Sequence, residues 1–174
     1  MAMTITGAIK SDISVVATNA FDLANGSVPL RNTQTQTTAS ASATVTCNLL
    51  WQDSGTIAGG AAAVDIDLDT SLEDYWGDAA DFAKVYAIYI RNTTTGAGVG
   101  ESIMTIGLDA APFPWFFGTP ATDNIKIEPG GFILSSCGVD AGWAVGAGAT
   151  DVLQIANDDA LIAMDYEIVI IGKE

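Results

Sequence analysis

Histidine is missing altogether from the 174 residues, cysteine occurs twice, and lysine and arginine together number six. Without histidine, Ser-His-Asp and Cys-His catalysis are excluded, and the commonest proton carrier and metal ligand near neutral pH is gone. The shortage of basic residues argues against nucleic acid, because a phosphate backbone is held by clustered Lys and Arg. Here Lys10, Arg31, Lys84, Arg91, Lys126 and Lys173 stand singly. An anionic membrane surface is disfavoured for the same reason. No apolar run approaches the roughly 18 residues of a transmembrane helix. Residues 1–7 have neither the basic start nor the apolar stretch of a secretory signal peptide. Cys47 and Cys137 allow one disulfide, but two cysteines in an unsignalled chain are expected as free, buried thiols.

What is present is apolar and acidic. Hydrophobic residues make up 49% of the chain, while 21 Asp and Glu against the six cations give a net charge of -15. Charged residues are 16%, below the roughly 25% of soluble domains. The apolar content is therefore expected to exceed what one small core hides, leaving a contiguous apolar surface of the kind that marks an interface. Self-association would have to overcome like-charge repulsion.

Strand signals dominate. Residues 44–49 and 64–69 alternate strictly between apolar and polar positions. Residues 85–90 are apolar on both faces and rich in aromatic and β-branched side chains, which suits a central strand. Short strands are also predicted at 103–106, 125–127, 132–134, 152–155 and 166–171. Between them, Glu128-Pro129-Gly130-Gly131 is a strong turn signal and Asn157-Asp158-Asp159 reads as a hairpin turn. Thr70 as cap with Glu73 three residues later predicts one or two helical turns over 70–76. The spacing predicts an all-β fold, an antiparallel β-sandwich of jelly-roll type with little helix. Residues 1–43 read as an N-terminal polar segment, either an arm or a long solvated strand, and 44–174 as the sandwich domain.

Candidate sites are few. Asp65, Asp67 and Asp69 share one strand face and are candidate metal ligands, although an EF-hand would need glycine and glutamate where Thr70 and Trp76 stand. The alternative is a solvated face opposite Val64, Ile66 and Leu68. Phe113, Trp115, Phe116 and Phe117 cluster in a proline-bearing segment, where they either stack on sugar rings or a partner, or fold inward to plug one end of the sandwich. Trp51, Trp76 and Trp143 adjoin turn-like sequence and are expected to cap the same core. The 96–100 segment lacks the spacing of a P-loop or dinucleotide fingerprint. No cofactor and no enzymatic activity are expected.

Several blocks together carry a resemblance. They are 82–92 (FAKVYAIYIRN), the Glu128-Pro129-Gly130-Gly131 turn, Gly142-Trp143-Ala144-Val145, 149–157 (ATDVLQIAN) and 166–172 (YEIVIIG). This succession resembles small structural proteins of tailed bacteriophages and related prophage elements, of the head-decoration or fibre/spike kind. It spans roughly residues 60 to 174 and is one of strand–turn grammar rather than chemistry. The resemblance implies a β-sandwich, assembly with itself (trimers being frequent) and with other virion proteins, no catalytic residues, and a place in the virion after synthesis in the host cytoplasm. A carbohydrate-binding host-recognition module using the 113–117 aromatics is the alternative.

Overall fold

Runs of period two become strands, and the pairing of those strands is long-range. The computed structural model describes residues 8–18, 27–37, 47–60, 62–70, 72–74, 77–95, 102–107, 113–114, 124–137, 142–148 and 150–174, the first two by backbone alone. Strands β1 (Ala8–Thr18) and β2 (Ser27–Thr37) pair antiparallel as a two-stranded sheet, so residues 32–37 of the polar tract are extended. Nine further strands follow: β3 (Leu49–Ile57), β4 (Ala63–Asp67), β5 (Lys84–Asn92), β6 (Met104–Gly107), β7 (Asn124–Ile127), β8 (Phe132–Ser136), β9 (Trp143–Ala144), β10 (Val152–Asn157) and β11 (Met164–Lys173).

Their sheets run β4-β10-β6-β7 and β3-β11-β5-β8, with the short β9 added beside β5. The chain pairs from the outside inward: β3 with β11, β4 with β10, β5 with β8, and β6 with β7. Such a folded ribbon, wrapped so that β11 also meets β5 and β10 meets β6, is a jelly roll. The fold is therefore an all-β antiparallel sandwich. Its core is built by inward positions of both sheets, among them Ile88, Ile90, Ile168 and Ile170 facing Ile66, Ile106, Leu153 and Ile155. Each such side chain is worth about 1.5–3 kcal/mol when buried.

The chain passes between the sheets four times at one end, where β3, β5, β7 and β10 finish and β4, β6, β8 and β11 begin. Two asparagines, both fully buried, hold that end together. Asn92, the last residue of β5, donates from Nδ2 to the carbonyls of Ser102 (2.8 Å) and Ile127 (3.2 Å) and accepts from the Thr94 amide (3.1 Å). Asn157, the last residue of β10, donates to the carbonyls of Ile57 (3.2 Å), Ala58 (3.2 Å) and Ile162 (2.8 Å) and accepts from the Asp159 amide (3.0 Å). Each amide thus satisfies carbonyls that the ladders abandon where the chain changes sheets. Gly130 adopts φ +79° in the 128–131 turn, as proline followed by two glycines predicts.

Three expectations are corrected here. The described residues of 70–76 are not helical: Thr70 is a bend residue, Glu73 forms an isolated bridge with Ala79, and no helix occurs among the described residues. Asp67, not Thr70, caps this bend, its carboxylate accepting from the amides of Asp69 and Thr70. Asn157-Asp158-Asp159 is not a hairpin turn, because β10 and β11 lie in different sheets. Trp51 lies within β3, opposite Ile170, rather than at a turn. Trp143, in β9, is half-buried and packs against the core, while Trp76 lies outside the described residues. Cys47, buried, and Cys137, half-buried, are not joined in a disulfide.

Gly172 marks the bulge where β11 shifts register against β5, and a Cβ there would overlap the Lys84 carbonyl oxygen and the Phe82 ring. Substitution Asn157→Ala is expected to lower unfolding free energy by about 3 kcal/mol, by stranding buried carbonyls. Gly172→Ala is expected to cost about 2–3 kcal/mol through overpacking. Urea denaturation of both variants against the parent chain checks these values.

Candidate interaction surface

Residues directly opposite in a ladder share a face, so register identifies what the five-stranded sheet shows to solvent. Its outward rows are Leu50–Ile171–Ala87–Ser136, in which Ala87 is buried, then Gln52–Val169–Tyr89–Leu134, then Ser54–Glu167–Arg91–Phe132. The inward partners Trp51, Ile88, Ile90, Ile168 and Ile170 confirm the parity. Leu50, Ile171, Val169, Tyr89 and Leu134 are half-buried, and Phe132 is 64% exposed. The Phe132 ring lies 6.0 Å from that of Tyr89, tilted by 37°. Leu, Val, Ile, Tyr and Phe thus form one band across four strands. A shallow hollow of about 430 Å³ adjoins it, with Gln52, Ser54, Thr93, Glu167 and Val169 among its lining residues.

Beyond the bulge, Lys84 and Lys173 stand opposite each other on the same face. With Arg91 they place three cations there against the two carboxylates Asp165 and Glu167, a net +1 on a chain of -15. The other sheet differs. Its outward Asp65 accepts from Gln154 Nε2 (2.8 Å), and Lys126 pairs with Asp158 at 2.6 Å. Of the two packed sheets, the five-stranded one carries most of the apolar side chains at outward positions, while the more exposed Leu161 lies in the 158–163 connection.

Of the carboxylates read as candidate metal ligands, Asp65 and Asp67 have hydrogen-bond partners close by. Asp67 accepts from the Thr70 hydroxyl (2.7 Å) and from two backbone amides, which hold its carboxyl below the usual range. Asp65 is engaged by Gln154, and Asp69 is half-buried. Among the described residues, no group of three or more Asp, Glu or Cys side chains is placed to hold a metal ion. Asp159 accepts from the amides of Leu161 (2.6 Å) and Ile162 (2.7 Å), which lower its carboxyl likewise. Burial pushes Asp158 upward, but the Lys126 ammonium outweighs it and the net direction is down.

Tyr166 and Asp53 meet at the edge between β3 and β11, the hydroxyl donating to the carboxylate at 2.7 Å. Burial first, and the Asp53 acceptor second, raise the tyrosine above its ordinary value. Asp53 is an inward-facing charge on an edge strand, a device that discourages uncontrolled strand addition.

Of the aromatic candidates, Phe113 is 1% exposed and part of the core, and its amide donates to the Val152 carbonyl (2.9 Å). It therefore offers no stacking surface: the segment folds inward at this position. Trp115, Phe116 and Phe117 lie outside the described residues. The outward band of β3, β11, β5 and β8 was not singled out as a site in the sequence. Its trace there is the apolar run on both faces of 85–90 and 168–171.

Because the Asp67 and Asp159 carboxyls are depressed in the folded state, their stabilising effect is complete above the unfolded value of about 3.9. It is lost as pH falls through the lower folded values. Melting temperature measured from pH 5 to pH 2 is expected to fall less steeply for Asp159→Asn than for the parent chain. In comparisons with known proteins, no protein-family model matches the chain, and no curated protein does. A solved structure described as "Crystal Structure of FLHE" aligns over 72% of this chain and 96% of its own, with a TM-score of 0.36 and 10% identity.

Proposed function

We propose that this protein is a non-enzymatic structural component of a bacteriophage virion, self-associating as a capsid decoration or as part of a spike or fibre. The observation that carries the reading is the apolar band on the outer face of the five-stranded sheet, from Leu50 to Phe132, on a jelly roll. Contiguous apolar surface of this kind marks an interface, and jelly rolls recur in viral capsids, although a fold alone does not assign a function. The carboxylates whose protonation is most perturbed tie loops rather than face one another across a cleft. That use of ionisable groups fits a scaffold better than a catalyst. The resemblance of 82–92, 149–157 and 166–172 to tailed-phage structural proteins supplies the virion context and favours a trimer. The partners are copies of itself and other virion proteins, and the site of synthesis is the host cytoplasm.

Two measurements test this. Mass spectrometry of purified particles from a host carrying the gene is expected to find the chain in many copies per particle. Its absence from particles removes the virion assignment. Size-exclusion chromatography with light scattering is expected to show an oligomer, and a monomer at every concentration and salt removes self-association.

A further inference from the structure

Of the outward faces of the two packed sheets, that of the four-stranded sheet carries Asp65 and Asp67 against Lys126, whereas that of the five-stranded sheet is apolar and not acidic. Lys84, Arg91 and Lys173 supply half of the six basic residues in the whole chain, and Asp165 and Glu167 are the only acids in its outward rows. Asp165 is already engaged by the Thr56 hydroxyl at 2.6 Å. What remains of the molecule outside this face carries 19 acids against three bases. Two copies meeting through any acidic surfaces repel, and two copies meeting through this same face bring like-signed cations together.

We propose that this face docks on the acidic surface of a second copy, in a head-to-tail contact. The inference rests on the self-association reading above and names its surface and geometry. Apolar contact by Val169, Leu134, Tyr89 and Phe132 supplies the attraction, because their outward positions leave area to be removed from water. Lys84, Arg91 and Lys173 set the orientation, since complementary potentials fix register and suppress wrong pairings. A contact between two different surfaces of one chain is heterologous, forming a ring where the rotation closes and an open filament where it does not.

The test is light scattering coupled to size exclusion on the full chain and two double variants. Val169→Asp with Leu134→Asp places charges in the centre of the band at outward positions. It is expected to leave a folded monomer, with the far-ultraviolet spectrum of the parent chain. Lys84→Glu with Arg91→Glu keeps the apolar band and is expected to weaken association about tenfold or more. An intact oligomer in the first variant overturns the face as interface while self-association stands. Unchanged affinity in the second overturns the head-to-tail geometry. A monomeric parent chain overturns the inference together with the reading on which it rests. Should the first variant misfold, Phe132→Ser, at a position 64% exposed, is expected to weaken association without loss of fold, and unchanged association in it counts against the face.

Discussion

The jelly roll depends on satisfying backbone groups where the ribbon leaves one sheet and enters the other. Four such transfers occur at one end, and every transfer interrupts a ladder, in two places beside a fully buried asparagine. Asn92 and Asn157 meet that demand from equivalent places, each as the final residue of a strand. An amide carries both a donor and an acceptor on a short, stiff stem, so one side chain can bridge two connections. Asn157 joins the β3–β4 link to the β10–β11 link, and Asn92 joins the β5–β6 link to the β7–β8 link. The two sheets are thereby fixed to each other at their turning end by hydrogen bonds as well as by the core.

Much of the strand inventory was legible, and for a clear reason. Residues 64–67 and 152–155 alternate because one side of each strand meets the core and the other meets solvent. Residues 85–90 read as central, and β5 does lie between β11 and β8. The second half of β3 was not legible. Gln52, Asp53, Ser54 and Thr56 are polar, yet pairing with β11 holds them extended at a sheet edge, and Gly55 leaves room for the Tyr166 ring. Sheet membership was likewise hidden. A turn signal at 157–159 suggests pairing of its two flanking strands, but long-range partners outcompete that neighbour and convert the turn into a corner. Phe113 shows the same competition: its backbone bond to Val152 draws an aromatic residue inward from a proline-bearing segment.

Charge is segregated rather than spread. The acids concentrate in turns, where Asp67 and Asp159 organise backbone amides, and the cations gather disproportionately on one sheet. In a chain this acidic, that arrangement gives one surface an electrostatic character opposite to its surroundings. Such contrast orients encounters between molecules before any contact is made. The candidate site was therefore invisible to a search for motifs, because it consists of residues spaced by sheet register and not by sequence.

The position of β11 has a further implication for how the molecule comes into being. This strand is synthesised after the other described strands, yet it sits between β3 and β5 and completes the pairing of both. Until it emerges from the ribosome, β3 has no ladder partner and the five-stranded sheet is split. The nascent chain must therefore hold these earlier strands in an unfinished state, with apolar faces uncovered, until β11 has been made. An abundance of acidic residues in the connecting segments is well suited to keep such chains apart during that interval.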